Sequence, residues 1–187
     1  MSFYILLIMN TALHSIYKAA LPVLLAFSVV HNQAWSISED HVVKFSGKYA
    51  SGSFRSLKGS IVFDEKHPDD AKFDVQIEVT SIETGNKLKN KHAQGEKWFN
   101  AEKFPLIHFV SKEVKKTNKG YEITGELEIK GVKKRLTIPF SFEEKNNAGV
   151  FKGTFKVNRK DFGIGKTKGK ASDFTTLDVT VPVTVKK

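Results

Sequence analysis

Tyr121-Glu-Ile-Thr-Gly-Glu-Leu-Glu-Ile-Lys-Gly-Val-Lys-Lys-Arg-Leu-Thr-Ile-Pro-Phe-Ser-Phe142 is the stretch that decides the fold. Tyr121, Ile123, Leu127 and Ile129 alternate with Glu122, Thr124, Glu126 and Glu128. After Lys130-Gly131, Leu136, Ile138, Phe140 and Phe142 alternate with polar residues or Pro139. Successive side chains of an extended chain point to opposite sides, so a period of two marks a strand with one apolar and one wet face. A Lys-Gly pair between two such runs reads as a hairpin turn.

The same period extends outward in both directions. Phe73, Val75, Ile77 and Val79 alternate with Asp74, Gln76, Glu78 and Thr80, and Leu177, Val179, Val181, Val183 and Val185 do so around Pro182. Weaker versions lie at Val43–Phe45, Leu57–Phe63, Leu106–Val110 and Phe151–Val157. Turn residues separate the runs at Thr117-Asn-Lys-Gly120, Asn146-Asn-Ala-Gly149 and His67-Pro-Asp-Asp70. One helical candidate, Lys87–Trp98, falls inside a long connection. Eight amphipathic antiparallel strands must hide one apolar face, and a closed barrel does so while removing the sheet edges. The expected fold class is all-β: an eight-stranded antiparallel β-barrel with one short helix in a long loop. A two-sheet sandwich is the alternative.

The first three dozen residues read differently. Lys18 precedes an apolar run, Ala19–Val30, and small residues follow at Ala34 and Ser36. A positive start, a short apolar core and a small-residue exit are the signature of a secretory signal peptide, and the run is short for a bilayer span. The expected division is a signal peptide over 1–35 and a barrel domain over 36–187, in the periplasm or secreted. An uncleaved anchor is the alternative, and translation could start at Met1 or Met9. With no cysteine in the chain, a lipoprotein anchor and disulfides are both excluded. Thirty basic against twenty acidic side chains give a net charge of +10. That excess favours an anionic partner, a phosphate group or a lipid surface. Export argues against nucleic acid.

Five short stretches carry a resemblance. They are Gly59-Ser-Ile-Val-Phe-Asp64, Ser81-Ile-Glu-Thr-Gly-Asn86, Trp98-Phe-Asn-Ala-Glu-Lys-Phe-Pro-Leu-Ile-His-Phe-Val-Ser111, Gly125-Glu-Leu-Glu-Ile-Lys-Gly-Val132 and Asn158-Arg-Lys-Asp-Phe-Gly-Ile-Gly165. In this order they resemble the YceI-like family of polyisoprenoid-binding periplasmic proteins. The resemblance implies a lipocalin-like eight-stranded barrel whose lumen holds a long isoprenoid tail. It also implies an envelope location and no established enzymatic activity. The head group, a prenyl diphosphate or a prenylated quinone, differs among members and does not transfer.

Alternation nominates the lumen: Phe63, Phe73, Phe109, Tyr121, Ile123, Leu127, Leu136, Ile138, Phe140, Phe142, Phe151 and Phe155. Taken singly each is ordinary core; together they can line a dry tunnel for an apolar chain. Up-and-down pairing places connections 81–105, 130–135 and 159–176 at one barrel end, with fourteen basic residues against five acidic ones. Lys130, Lys133, Lys134, Arg135, Arg159 and Lys166 are therefore the expected rim. There they would meet a diphosphate or an anionic membrane surface, unless they are only a solvated basic face. Trp98 and Phe99 are the candidate gate over one end. Arg159 and Asp161 read as a structural pair. Gly163-Ile-Gly165-Lys166-Thr167 hints at a phosphate loop, but Lys160 stands where that motif needs glycine. The histidines lack metal-ligand spacing, and no nucleophile or carboxylate pair is evident.

The expected function is non-enzymatic carriage of a polyisoprenoid or other lipid-like ligand, with no cofactor and no metal. A structural envelope barrel with a filled core, or an enzyme acting on an apolar substrate, are the alternatives. The oligomeric state is not legible.

Overall fold

Eight staves close into an antiparallel barrel, and three of them are broken in the middle. The computed structural model describes residues 33–48, 50–165 and 173–186. Its strands are β1 (Ala34–Ile37), β2 (Val42–Gly47), β3 (Ser51–Phe54), β4 (Lys58–Val62), β5 (Lys72–Glu78), β6 (Ile82–Glu83), β7 (Leu106–Thr117), β8 (Gly120–Ile129), β9 (Val132–Lys145), β10 (Ala148–Asn158) and β11 (Phe174–Val185). One helix, α1 (Lys87–Gln94), lies in the long connection before β7, as the sequence predicts.

β1 and β2 both pair with β11, from Trp35↔Val185 at one end to Thr175↔Gly47 at the other, so together they make one stave. β3 and β4 make the second, pairing with β2 and β1 on one side and with β6 and β5 on the other. β5 and β6 make the third, interrupted by a 3-10 turn at Val79–Ser81. Leu57 and Val79 are buried at two of these interruptions, and Leu57 joins the core. β1 begins two residues before the expected domain start at 36, and Trp35 is 2 % exposed. Its indole Nε1 donates to the Phe63 carbonyl at 2.9 Å.

The hairpin β8–β9 turns through Lys130 and Gly131, with φ of 54° and 74°. Glycine meets that left-handed requirement without a Cβ penalty. On β8, a Cβ at position 125 would lie 2.4 Å from the Val110 carbonyl oxygen and 2.6 Å from the Phe109 ring, so only glycine lets that ring lie against the strand. A register shift on β7 between Ser111 and Glu113 moves the inward positions from Phe109 to Val114.

The β9–β10 ladder runs from Ala148↔Lys145 to Gly153↔Phe140 and stops, short of the ends of both strands. Immediately beyond lies Pro139, which has no N–H to donate to a ladder.

One end of the barrel is filled by rings. Phe63 is fully buried and its centroid lies 5.1–6.2 Å from those of Phe73, Tyr121, Phe140, Phe142 and Phe151. Trp35 packs edge-on against Phe142 at 5.2 Å. Most of these contacts are edge-to-face, the arrangement that aromatic quadrupoles favour.

Candidate functional site

Above that aromatic plug the barrel is hollow. A cavity of about 420 Å³ occupies the half nearer the long connections, within the roughly 300–1,000 Å³ typical of ligand pockets. Nine of the twelve nominated lumen residues line it: Phe73, Phe109, Ile123, Leu127, Leu136, Ile138, Phe140, Phe151 and Phe155. Phe63, Tyr121 and Phe142 do not. They belong to the plug, because inward alternation continues past the depth at which the rings meet. Alternation reports which face a residue is on, not whether that face has a void before it. Val43, Phe45, Val75, Leu177 and Val179 also line the cavity but are not among the nominated residues, which include only Phe73 from β5 and none from β2 or β11.

The polar lining is sparse and collects at the loop end. Lys48, Thr84, Lys89, His92, Arg159 and Thr175 line it there. Lys89, His92 and Ala93 are on one face of α1, whose start is capped by the Asn86 side chain accepting from the Lys89 amide. Trp98 and Phe99, the candidate gate, also line the cavity at this end, with Phe99 edge-on to Phe54 at 6.0 Å.

The expected rim is corrected in several places. The expected connection 130–135 is only Lys130-Gly131, because β8 runs to Ile129 and β9 starts at Val132. Lys133, Lys134 and Arg135 are therefore strand residues. Lys133 is 3.0 Å from Glu126 and 3.8 Å from Glu128 on the outer face, and Arg135 stands opposite Glu126. Lys133 is held in its charged form by Glu126, which raises its pKa. Lys130 donates to the carbonyls of Glu96 at 2.9 Å and Gly163 at 3.3 Å, lacing the β8–β9 turn to the connections before β7 and after β10. Arg159 is buried rather than on the rim, and its ion-pair partner is Asp173, not Asp161. Lys166 lies outside the described residues.

At the plug, the Tyr121 hydroxyl donates to Glu65 at 3.1 Å. Burial, followed by that neighbouring carboxylate, pushes its pKa up to about 12. Among the described residues no cluster of three or more His, Asp or Glu could hold a metal ion, and no helix is long and apolar enough to cross a membrane.

The model of the YceI-like domain matches residues 29–186. A UPF0312 protein of Yersinia pestis is 35 % identical over 136 residues, covering 70 % of this chain and 71 % of its own length. The crystal structure of Burkholderia cenocepacia BcnA superposes with a TM-score of 0.73 at 23 % identity, over 79 % of this chain and 99 % of that one. A polyisoprenoid binding domain from Saccharophagus degradans, implicated in plant cell wall breakdown, superposes with a TM-score of 0.59 at 11 % identity, over 82 % and 99 %.

Proposed function

The chain belongs to the YceI-like domain family, and from that premise we propose that it binds a polyisoprenoid or similar lipid without chemically changing it. The observation that carries this reading is the preformed, mostly apolar hollow of about 420 Å³ between an aromatic plug and a polar mouth. That the Saccharophagus degradans domain is a polyisoprenoid binding domain supports the ligand class.

Magnitudes favour a long chain. Each buried CH₂ contributes about 0.8 kcal/mol, whereas association costs roughly 4–15 kcal/mol. About ten buried carbons are needed to offset that cost, so a short tail binds weakly and a multi-unit isoprenoid binds well. Lys48, Lys89 and His92 at the mouth are placed to meet an anionic or polar head group, such as a diphosphate or a quinone, with Thr84 and Thr175 beside them. The apolar run before residue 31 supports export to the envelope, where such lipids need a carrier through water.

Solvent extraction of protein purified from a host with normal isoprenoids, followed by mass spectrometry, tests the reading. A stoichiometric isoprenoid is the expected result. An empty extract, with no uptake of added prenyl diphosphate or prenylated quinone, overturns it.

A further inference from the structure

An incomplete seam of the barrel runs alongside its cavity. Past Gly153↔Phe140 no ladder pair joins β9 to β10. Among the described residues, 132–139 and 154–158 therefore have no strand partner on the sides that face each other. Such edges are normally paired or covered. Leu136, Ile138 and Phe140 on one lip and Gly153, Phe155 and Val157 on the other all line the cavity. Lys152 lines it too, although it lies between the inward-facing Phe151 and Gly153. Of the strand residues around the cavity, it is the one that alternation places on the outer face. Lys152 pairs with Ser141 one step before the ladder ends, which sets this outer-face residue of the lining beside the unpaired stretch.

Among the described residues, both ends of the barrel are tied more firmly than this seam. One is filled by the rings around Phe63. The other is laced by Lys130 to Glu96 and Gly163, by the Gly165 amide to the Lys97 carbonyl at 2.9 Å, and by Arg159 over the Trp98 ring at 5.7 Å. Parting two strands normally breaks a ladder of hydrogen bonds. Among the described residues no ladder spans this stretch, and the inward side chains along both lips are apolar.

We propose that the β9–β10 seam is a side port through which an apolar chain passes into and out of the lumen. The proposal rests on the lipid-binding reading above and adds its route. A long chain then moves in broadside, while its head group stays at the Lys48, Lys89 and His92 mouth. It need not be drawn lengthwise past the laced loops.

The cysteine-free chain makes a direct test simple. Continuing the register would set Thr137 opposite Lys156, both exposed outer-face positions flanking the port. In the full chain, Thr137→Cys with Lys156→Cys is closed by a short bis-maleimide. Lys145→Cys with Ala148→Cys, linked in the same way, spans the intact end of the same two strands. Stopped-flow fluorescence with dansyl-labelled geranylgeranyl diphosphate reads uptake and release. The expected result is that the seam link slows both rates by about tenfold or more, as fixing a gate shut does. Affinity stays nearly unchanged, and the unlinked variant and the control link exchange at the native rate. Native rates in the seam-linked protein overturn the port and leave the carrier reading standing. A native protein that takes up no probe overturns the carrier reading, and the port with it.

Discussion

The Arg159 guanidinium lies 3.4 Å from the Asp173 carboxylate, with Arg159 8 % and Asp173 1 % exposed. The pair joins the two ends of the connection between β10 and β11. Arg159 also donates to the Ile164 carbonyl at 3.0 Å and lies over the Trp98 ring. One buried cation thus holds the loop end of the barrel to both of its long connections. Removing one partner of a buried ion pair typically costs about 3–5 kcal/mol, because the other charge loses its compensation.

Asp173→Ala is therefore expected to lower stability by about 3 kcal/mol, with Asp173→Asn intermediate. Urea unfolding followed by tryptophan fluorescence measures it. A shift below about 0.5 kcal/mol, the size of an ordinary surface substitution, would show that the pair is dispensable.

Phe63→Ala removes the ring about which the plug is built. Large-to-small changes of buried Phe cost about 3–5 kcal/mol. The void created adjoins Phe73, Phe140 and Phe151, all of which line the cavity. The variant should be less stable, yet should accept a longer chain than the native protein. A series of prenyl alcohols of increasing length, scored for retained affinity, checks this. An unchanged length limit would mean that the plug does not set it.

Tyr121 predicts alkaline behaviour. Its folded pKa is about 12 against an ordinary value of 10.0. A folded pKa above the unfolded one gives stability that is fully present below pH 10 and lost as pH rises from about 10 to 12. Tyr121→Phe should flatten that decline, although it forfeits the hydrogen bond to Glu65 at lower pH. Unfolding midpoints measured across this range in both proteins provide the comparison. Parallel curves would rule out Tyr121 as the source.

The barrel was readable because its determinant is local. Glu122, Glu126 and Glu128 against Ile123, Leu127 and Ile129 announce a two-faced strand whatever lies around them. The site was only half readable because its determinants are not local. Whether Phe63 and Phe142 fill space or line it depends on rings from strands distant in sequence. Lys133 looked like a free rim cation until the hairpin register set it beside Glu126 and Glu128. Asp161 is nearer to Arg159 in sequence than Asp173 is, but the fold chose the latter. Pro139 was visible in its strand, but that the ladder to β10 ends there follows only from the pairing.

At the mouth, replacing Lys48 and Lys89 by Gln should separate head group from tail. Exposed ion pairs contribute about 0.2–1 kcal/mol each, so affinity for a prenyl diphosphate should fall severalfold at low salt. Affinity for the matching prenyl alcohol should not change, because both lysines meet only the charged end. Equal losses for both ligands would place the head group elsewhere. Loss of neither would reduce these lysines to a solvated face.

The cavity itself can be filled. Val179 faces it from β11, half-buried. Unlike a substitution in a packed core, Val179→Trp would grow into empty space, so the usual overpacking cost of about 1–3 kcal/mol should be largely absent. Occupying a void adds contacts that the wall residues otherwise lack. The melting temperature should therefore hold or rise while uptake of an uncharged apolar dye, N-phenyl-1-naphthylamine, is lost. Binding that survives with a native melting curve would place the guest outside this hollow. A variant that melts well below the native protein would instead show that the space around Val179 is already taken.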